Sequence, residues 1–259
     1  MTRRRFPGLT HATVLALSLV LVALGVTGWH RVTADRPDAP PVAAPHTPSF
    51  PADLAHAADT APRRTDVLIV GDSFVGGTGT PGVVDYPQLL AEKYGWSVRL
   101  DALGGSGYVS RDRNGVHLPG LIERLPAEQA NYPVDLLIVD AGRNDLDVDP
   151  AETIPRMQEY LRGARQAWPA AAIVVIKPLY VQPTTPPNYP VLSTAIDTTA
   201  AEIKASVIDP VAEGWYTDVD LQSLVISDNI HLSAAGNEYY ASRVSAGIER
   251  AGIVPPATD

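Results

Sequence analysis

From Thr65 onward, short apolar runs alternate with stretches whose apolar residues recur every three to four positions. Five runs read as strands: DVLIV (66–70), SVRLDAL (97–103), DLLIVDA (135–141), AAIVVIKPL (171–179) and SVIDPV (206–211). They are rich in β-branched residues and bounded by Gly, Pro, Asp or Asn, which break extended chain. The helical period predicts helices near 86–94, 118–126, 151–168, 189–205 and 233–250. Ser233 stands where an N-cap belongs, and Pro150 where a first helical turn has no use for an N–H. Strand and helix in alternation mean right-handed crossovers, hence a parallel sheet covered on both faces. Near-continuous apolar strands fit that burial. The pattern therefore predicts an α/β fold, a three-layer α/β/α sandwich on a five-stranded parallel sheet. Ligands of such sheets bind beyond the carboxyl ends of the strands.

Residues 1–34 are patterned differently. Arg3, Arg4 and Arg5 precede an uncharged apolar run from about Ala12 to Trp29. The run is long for the core of a secretory signal and just spans a bilayer at ~1.5 Å per residue. A cleaved signal peptide and a retained N-terminal membrane anchor both fit. Val32-Thr33-Ala34 offers a cleavage signature, whereas Trp29, His30 and Arg31 suit a membrane interface. Either way the remainder is expected outside the cytoplasm, secreted or tethered through residues 12–29. Residues 35–64 are rich in Pro and Ala without sustained periodicity and read as a semi-extended linker. Residues 65–259 are then the folded domain.

Composition narrows the chemistry. The 259-residue chain has no cysteine, which excludes disulfides, thiolate metal sites and cysteine nucleophiles. Its formal charge is −9 and its basic residues are unclustered beyond the first few positions, so it offers no surface for nucleic acid phosphates. Asp145, Asp147 and Asp149 alternate as in a calcium loop, but Pro150 stands where that loop needs glycine. A solvated loop is the expectation there.

The first predicted strand runs directly into Gly71-Asp72-Ser73. A serine hydroxyl is a poor nucleophile unless a neighbouring base, itself oriented by a third group, takes its proton. Within the domain only His117 and His231 qualify as bases. His117 opens a predicted helix with no acid beside it in sequence and reads as a surface or structural residue. His231 follows Asp228 by three residues, just before the last helix, a spacing that lets a turn set the carboxylate against one ring nitrogen. Asp72 reads as a brace for the turn rather than a base. Acyl transfer also needs donors aimed at a developing oxyanion. Gly104, Gly105 and Gly107 follow the second strand, and Asn144 follows the third.

Four blocks thus occur in order: Gly71-Asp72-Ser73, the glycine-rich GGSG ending at Gly107, Gly142-Arg143-Asn144-Asp145, and Asp228-Asn229-Ile230-His231. From Asp66 to about Tyr240 the sequence resembles the SGNH (GDSL-type) serine hydrolases, a flavodoxin-like α/β family. The resemblance implies that Ser73, Asp228 and His231 are the catalytic triad. It also implies that the N–H groups of Ser73 and Gly107 and the side-chain amide of Asn144 form the oxyanion hole. One departure is visible, since Ala102 stands where the family often has asparagine. No metal or organic cofactor is implied. The expected function is hydrolysis of a carboxylic ester, of a lipid or an acylated cell-envelope glycan, through an acyl-enzyme. An extracytoplasmic O-acyltransferase using the same site and a catalytically silent glycan-binding module are the alternatives. Tyr108, beside the glycine-rich loop, is the expected substrate contact. Tyr180, Tyr189, Trp215 and Tyr216 either stack on substrate or pack the core.

Overall fold

The computed structural model describes residues 63–77 and 80–253; the expected signal or anchor (1–34) and nearly all of the linker lie outside the described residues. Five parallel strands form one sheet: β1 (Asp66–Gly71), β2 (Ser97–Ala102), β5 (Leu136–Asp140), β6 (Ala172–Ile176) and β7 (Ser206–Ile208). Their order is β2-β1-β5-β6-β7. The central strands are apolar throughout because both of their faces are covered: Val67 to Val70 and Leu136 to Val139 are buried. The flavodoxin-type α/β/α expectation holds.

The crossover helices are α2 (Tyr86–Tyr94), α3 (Leu121–Asn131), α4 (Pro150–Ala167) and α5 (Tyr189–Ile203), with α7 (Ala234–Arg250) closing the chain. The path runs outward from β1 to β2, then back across to β5. Right-handed crossovers therefore put α2 on one face and α3 to α5 on the other. Accordingly α3 packs on α4 and α4 on α5, while α2 packs on α7. The strand order reverses between β1 and β5, so a crevice opens where their carboxyl ends diverge. Pro150 opens α4, and the Ser233 hydroxyl accepts from the Gly236 N–H at 3.0 Å to cap α7. Among the described residues no helix is long and apolar enough to cross a membrane.

Two strand ends and one helix start differ from expectation. The strands expected at 171–179 and 206–211 stop at Ile176 and Ile208, because Pro178 and Pro210 have no N–H for the ladder. The helix expected from 118 begins at Leu121. Before it lies an antiparallel hairpin of β3 (Arg111–Arg113) and β4 (Val116–Leu118), closed by Asn114 and Gly115, both with positive φ. His117 therefore lies in β4 rather than opening a helix.

Candidate active site

The β1 strand ends in glycine because there is no room for more. A Cβ on Gly71 would stand 2.3 Å from the Asp140 carbonyl oxygen and 2.5 Å from Val75 Cγ2. The chain then turns into the single-turn helix α1 (Ser73–Gly76), capped by Asp72, whose Oδ1 accepts from the Phe74 N–H at 2.9 Å. Ser73 is the first residue of α1, so its N–H has no carbonyl partner within the helix. Asp72 is fully buried, and burial pushes its carboxyl up to about 6 despite the attraction of Arg143. It braces the turn, as expected, with its other oxygen toward Arg143.

The second partner of Ser73 arrives on a tight loop after the short helix α6 (Leu221–Leu224). Val225 and Leu232 bridge across the loop, and the Ile226 N–H donates to the His231 carbonyl at 2.9 Å. Inside it, Asp228 Oδ1 accepts from the N–H groups of Ile230 (2.9 Å) and His231 (3.0 Å). Its other oxygen meets His231 Nδ1 at 2.6 Å, and His231 Nε2 lies 2.9 Å from Ser73 Oγ. Burial works against the Asp228 charge, but the hydrogen bonds from the His231 ring and backbone outweigh it and hold the carboxyl at about 2. An ionised carboxylate only accepts, so Nδ1 carries the proton and the Nε2 lone pair faces the serine hydroxyl.

The glycine-rich loop and Asn144 lie on the other side of the crevice. A Cβ on Gly104 would contact Ser73 Cβ at 3.8 Å, which places this loop against the serine. Gly142-Arg143-Asn144-Asp145 follows β5, with Arg143–Asp145 in a 3₁₀ turn. Asn144 Nδ2 donates to the Ser106 carbonyl at 2.9 Å, and the Tyr180 hydroxyl donates to Asn144 Oδ1 at 3.2 Å. Both bonds fix which way the amide points and leave one Nδ2 hydrogen for another acceptor. Gly107 is glycine because a Cβ would fall 2.2 Å from Asp145 Oδ2. That carboxylate accepts the next N–H groups of the loop, Tyr108 at 2.7 Å and Val109 at 3.4 Å.

Beneath this surface lies a buried polar frame. Arg143 Nη2 meets Asp140 Oδ1 at 2.6 Å, and its Nη1 lies 3.7 Å from Asp72 Oδ2. Its guanidinium also stacks 4.1 Å from the centre of the Phe74 ring, one residue past Ser73. Asp140 accepts further bonds from the hydroxyls of Tyr86 (2.8 Å) and Tyr240 (3.0 Å). The acids of the former calcium-like loop separate: Asp145 is buried, Asp147 is 84% exposed, and Asp149 caps α4. Among the described residues no three His, Asp or Glu side chains are grouped as metal ligands.

The structure thus brings Ser73, His231 and Asp228 into one hydrogen-bonded chain, and sets Gly107 and Asn144 on a shared brace. Tyr108 does not join them. It is fully buried against Tyr160 and under Gly142, because the loop that carries it turns inward to satisfy Asp145. Tyr189, Trp215 and Tyr216 are core residues as well. Tyr180 is the aromatic that reaches the site, and sequence reasoning left its role open. His117 lies on the surface, its ring between Asp112 and Glu123 at 3.2 Å each. Sequence reasoning gave Arg143 no role; a second charge three residues after Asp140, at the end of a buried strand, was the available signal.

An α/β sheet with a serine at its switch point, facing a histidine and an acid, is the arrangement of a serine hydrolase. The chain belongs to the GDSL-like lipase/acylhydrolase family, whose family model matches residues 69–239. The GDSL lipase Rv0518 of Mycobacterium tuberculosis is 28% identical over 197 residues, covering 71% of this chain and 81% of that protein. The solved structure of TesA is 23% identical, with a TM-score of 0.54, covering 71% of this chain and 98% of that one. A family two carbohydrate esterase from Clostridium thermocellum, solved in complex with cellohexaose, is 16% identical with a TM-score of 0.57. It covers 73% of this chain and 66% of its own. These two structures are similar in fold.

Proposed function

We propose that the protein hydrolyses a carboxylic ester outside the cytoplasm, with Ser73 as nucleophile, His231 as general base and acid, and Asp228 as the group that orients it. One observation carries this reading: Ser73 Oγ, His231 and Asp228 form an unbroken chain with contacts of 2.9 Å and 2.6 Å. Asp228 holds the imidazole in the tautomer whose Nε2 accepts the hydroxyl proton as Ser73 Oγ attacks the ester carbonyl. The oxyanion then lies against the N–H groups of Ser73 and Gly107 and the remaining Nδ2 hydrogen of Asn144. Collapse expels the alcohol, which takes the proton from His231 Nε2 and leaves Ser73 acylated. Water, deprotonated by the same nitrogen, attacks the acyl-serine and releases the acid. Export rests on the apolar segment 12–29 behind three arginines.

The GDSL lipase relative supports an ester of a lipid as substrate, and an ester of an envelope glycan is the other candidate that export would allow. The test is hydrolysis of short and long acyl esters by the full-length protein. Ser73→Ala and His231→Ala are each expected to lower kcat by at least about 10⁴-fold without change in thermal unfolding. Full activity in either folded variant overturns the assignment.

A further inference from the structure

Beside Asn144 opens a pocket of about 550 Å³, lined among others by Arg111, Arg113, Asn144, Tyr180, Gln182 and Asn188. Its lining is polar and apolar in about equal measure, and its one acid is Asp147. We infer that this pocket selects esters whose acyl group ends in a carboxylate, and that Arg113 binds that carboxylate. The inference rests on the ester-hydrolase reading above and deepens it.

The side of the substrate follows from the chemistry. The departing alcohol must face His231 to receive its proton, and His231 does not line this pocket. The acyl group therefore extends past Asn144 into it. The charge follows from an accounting of the arginines. Arg143 is spent on Asp140 and Asp72, both buried. Arg111 is spent on buried Asp145 at 3.3 Å, on the Asn144 carbonyl, and on Asp147 at 4.0 Å. Arg113 is exposed and has neither an ion pair nor a hydrogen bond among the described residues.

The hairpin aims it. Residues i and i+2 of a strand share a face, so Arg111 and Arg113 project together while Asp112 turns away to His117. The two-residue Asn114-Gly115 turn fixes that register. The Arg113 Nη1 atom lies 2.9 Å from where a Cβ on Gly105 would stand, so the guanidinium hangs over the glycine-rich loop. Gly105 is two residues from Gly107, a separation of at most ~7 Å, which an acid of roughly four to six carbons spans from carbonyl to far carboxylate. On a chain of formal charge −9 the summed field disfavours an anion, and the free guanidinium at the rim is the local attraction that this end of the sheet offers it.

The experiment compares kcat/KM of the full-length protein for monoethyl glutarate and ethyl pentanoate, equal in chain length, by ethanol release. The charged ester is expected to lead by about fivefold to tenfold at low salt, the lead shrinking as ionic strength rises. Arg113→Gln brings the ratio to about one, and Arg113→Glu takes it below one. Arg156→Gln, on the exposed side of α4, leaves the ratio unchanged. A wild-type ratio of one or less, an unchanged ratio in Arg113→Gln, or a shift in Arg156→Gln overturns the inference. Ser73-dependent turnover of ethyl pentanoate without preference for the charged ester overturns this inference alone. If neither ester shows Ser73-dependent turnover, the hydrolase reading falls and this inference with it.

Discussion

Two polar assemblies meet at Ser73, and they differ in almost every physical respect. Above it, Asp228 and His231 sit at the surface, their side chains 40% and 27% exposed, and are held by one loop's own backbone. Below it, Arg143, Asp140 and Asp72 are sealed from water and drawn from two separate loops and a strand end. Exposed charges interact weakly through screening water, so the upper pair contributes little to stability and stays free to exchange a proton. Buried charges stand or fall together, since removing one leaves its partners desolvated and unpaired. The lower assembly is thus a frame that sets where Ser73 stands, and the upper one is the part to which the proposed mechanism assigns the chemistry.

The largest test of this division is Arg143→Met. It strands Asp140 and Asp72 and removes the cation stacked on Phe74, and is expected to lower stability by about 3–5 kcal/mol in urea unfolding. A variant as stable as the parent breaks the comparison. Next comes Asp228→Asn, which keeps the turn's acceptor oxygen and loses the charge that orients His231. It is expected to reduce kcat by about 10²- to 10⁴-fold with stability changed by less than ~1 kcal/mol. Unfolding of that variant would mean that the surface pair is structural too.

The smallest effect concerns pH. The folded-state carboxyl of Asp72 titrates at about 6, above its ordinary value, so the native state holds its proton more tightly than the unfolded chain does. Its ionisation therefore weakens the fold as pH rises from about 4 through 6, and acidification through that window relieves the penalty. Asp72→Asn removes this dependence. Relative to wild type, the variant is expected to gain on the order of 2 kcal/mol between pH 4 and pH 7 in denaturant titrations. Asp228, held at about 2, remains charged throughout that window, so the same pH change leaves its grip on His231 intact.

The contrast also explains what was legible in the sequence. The upper assembly is local: Asp228 and His231 are three residues apart, and Ser73 and Asn144 each follow an apolar strand, so chain pattern alone led to them. The lower frame is long-range, joining Arg143 to Tyr240 and Asp140 to Tyr86, contacts that no periodicity reveals. Tyr108 was misplaced for the same reason, its direction being set by Asp145, far along the chain. The β3–β4 hairpin was missed because its residues are mostly exposed and lack apolar alternation, although Asn114-Gly115 is a recognised turn signal. Strand ends were overrun where a proline two positions on carried the decisive information.

The loop bearing Asp228 and His231 has a mechanical consequence. Acid and base ride on one four-residue turn, pinned by the Val225–Leu232 bridge, so their mutual geometry survives any movement of the loop as a whole. The assembly has a single joint, the gap between His231 Nε2 and Ser73 Oγ. A displacement of this loop would carry both groups from the serine together, so the base would not part from the serine without the acid that orients it.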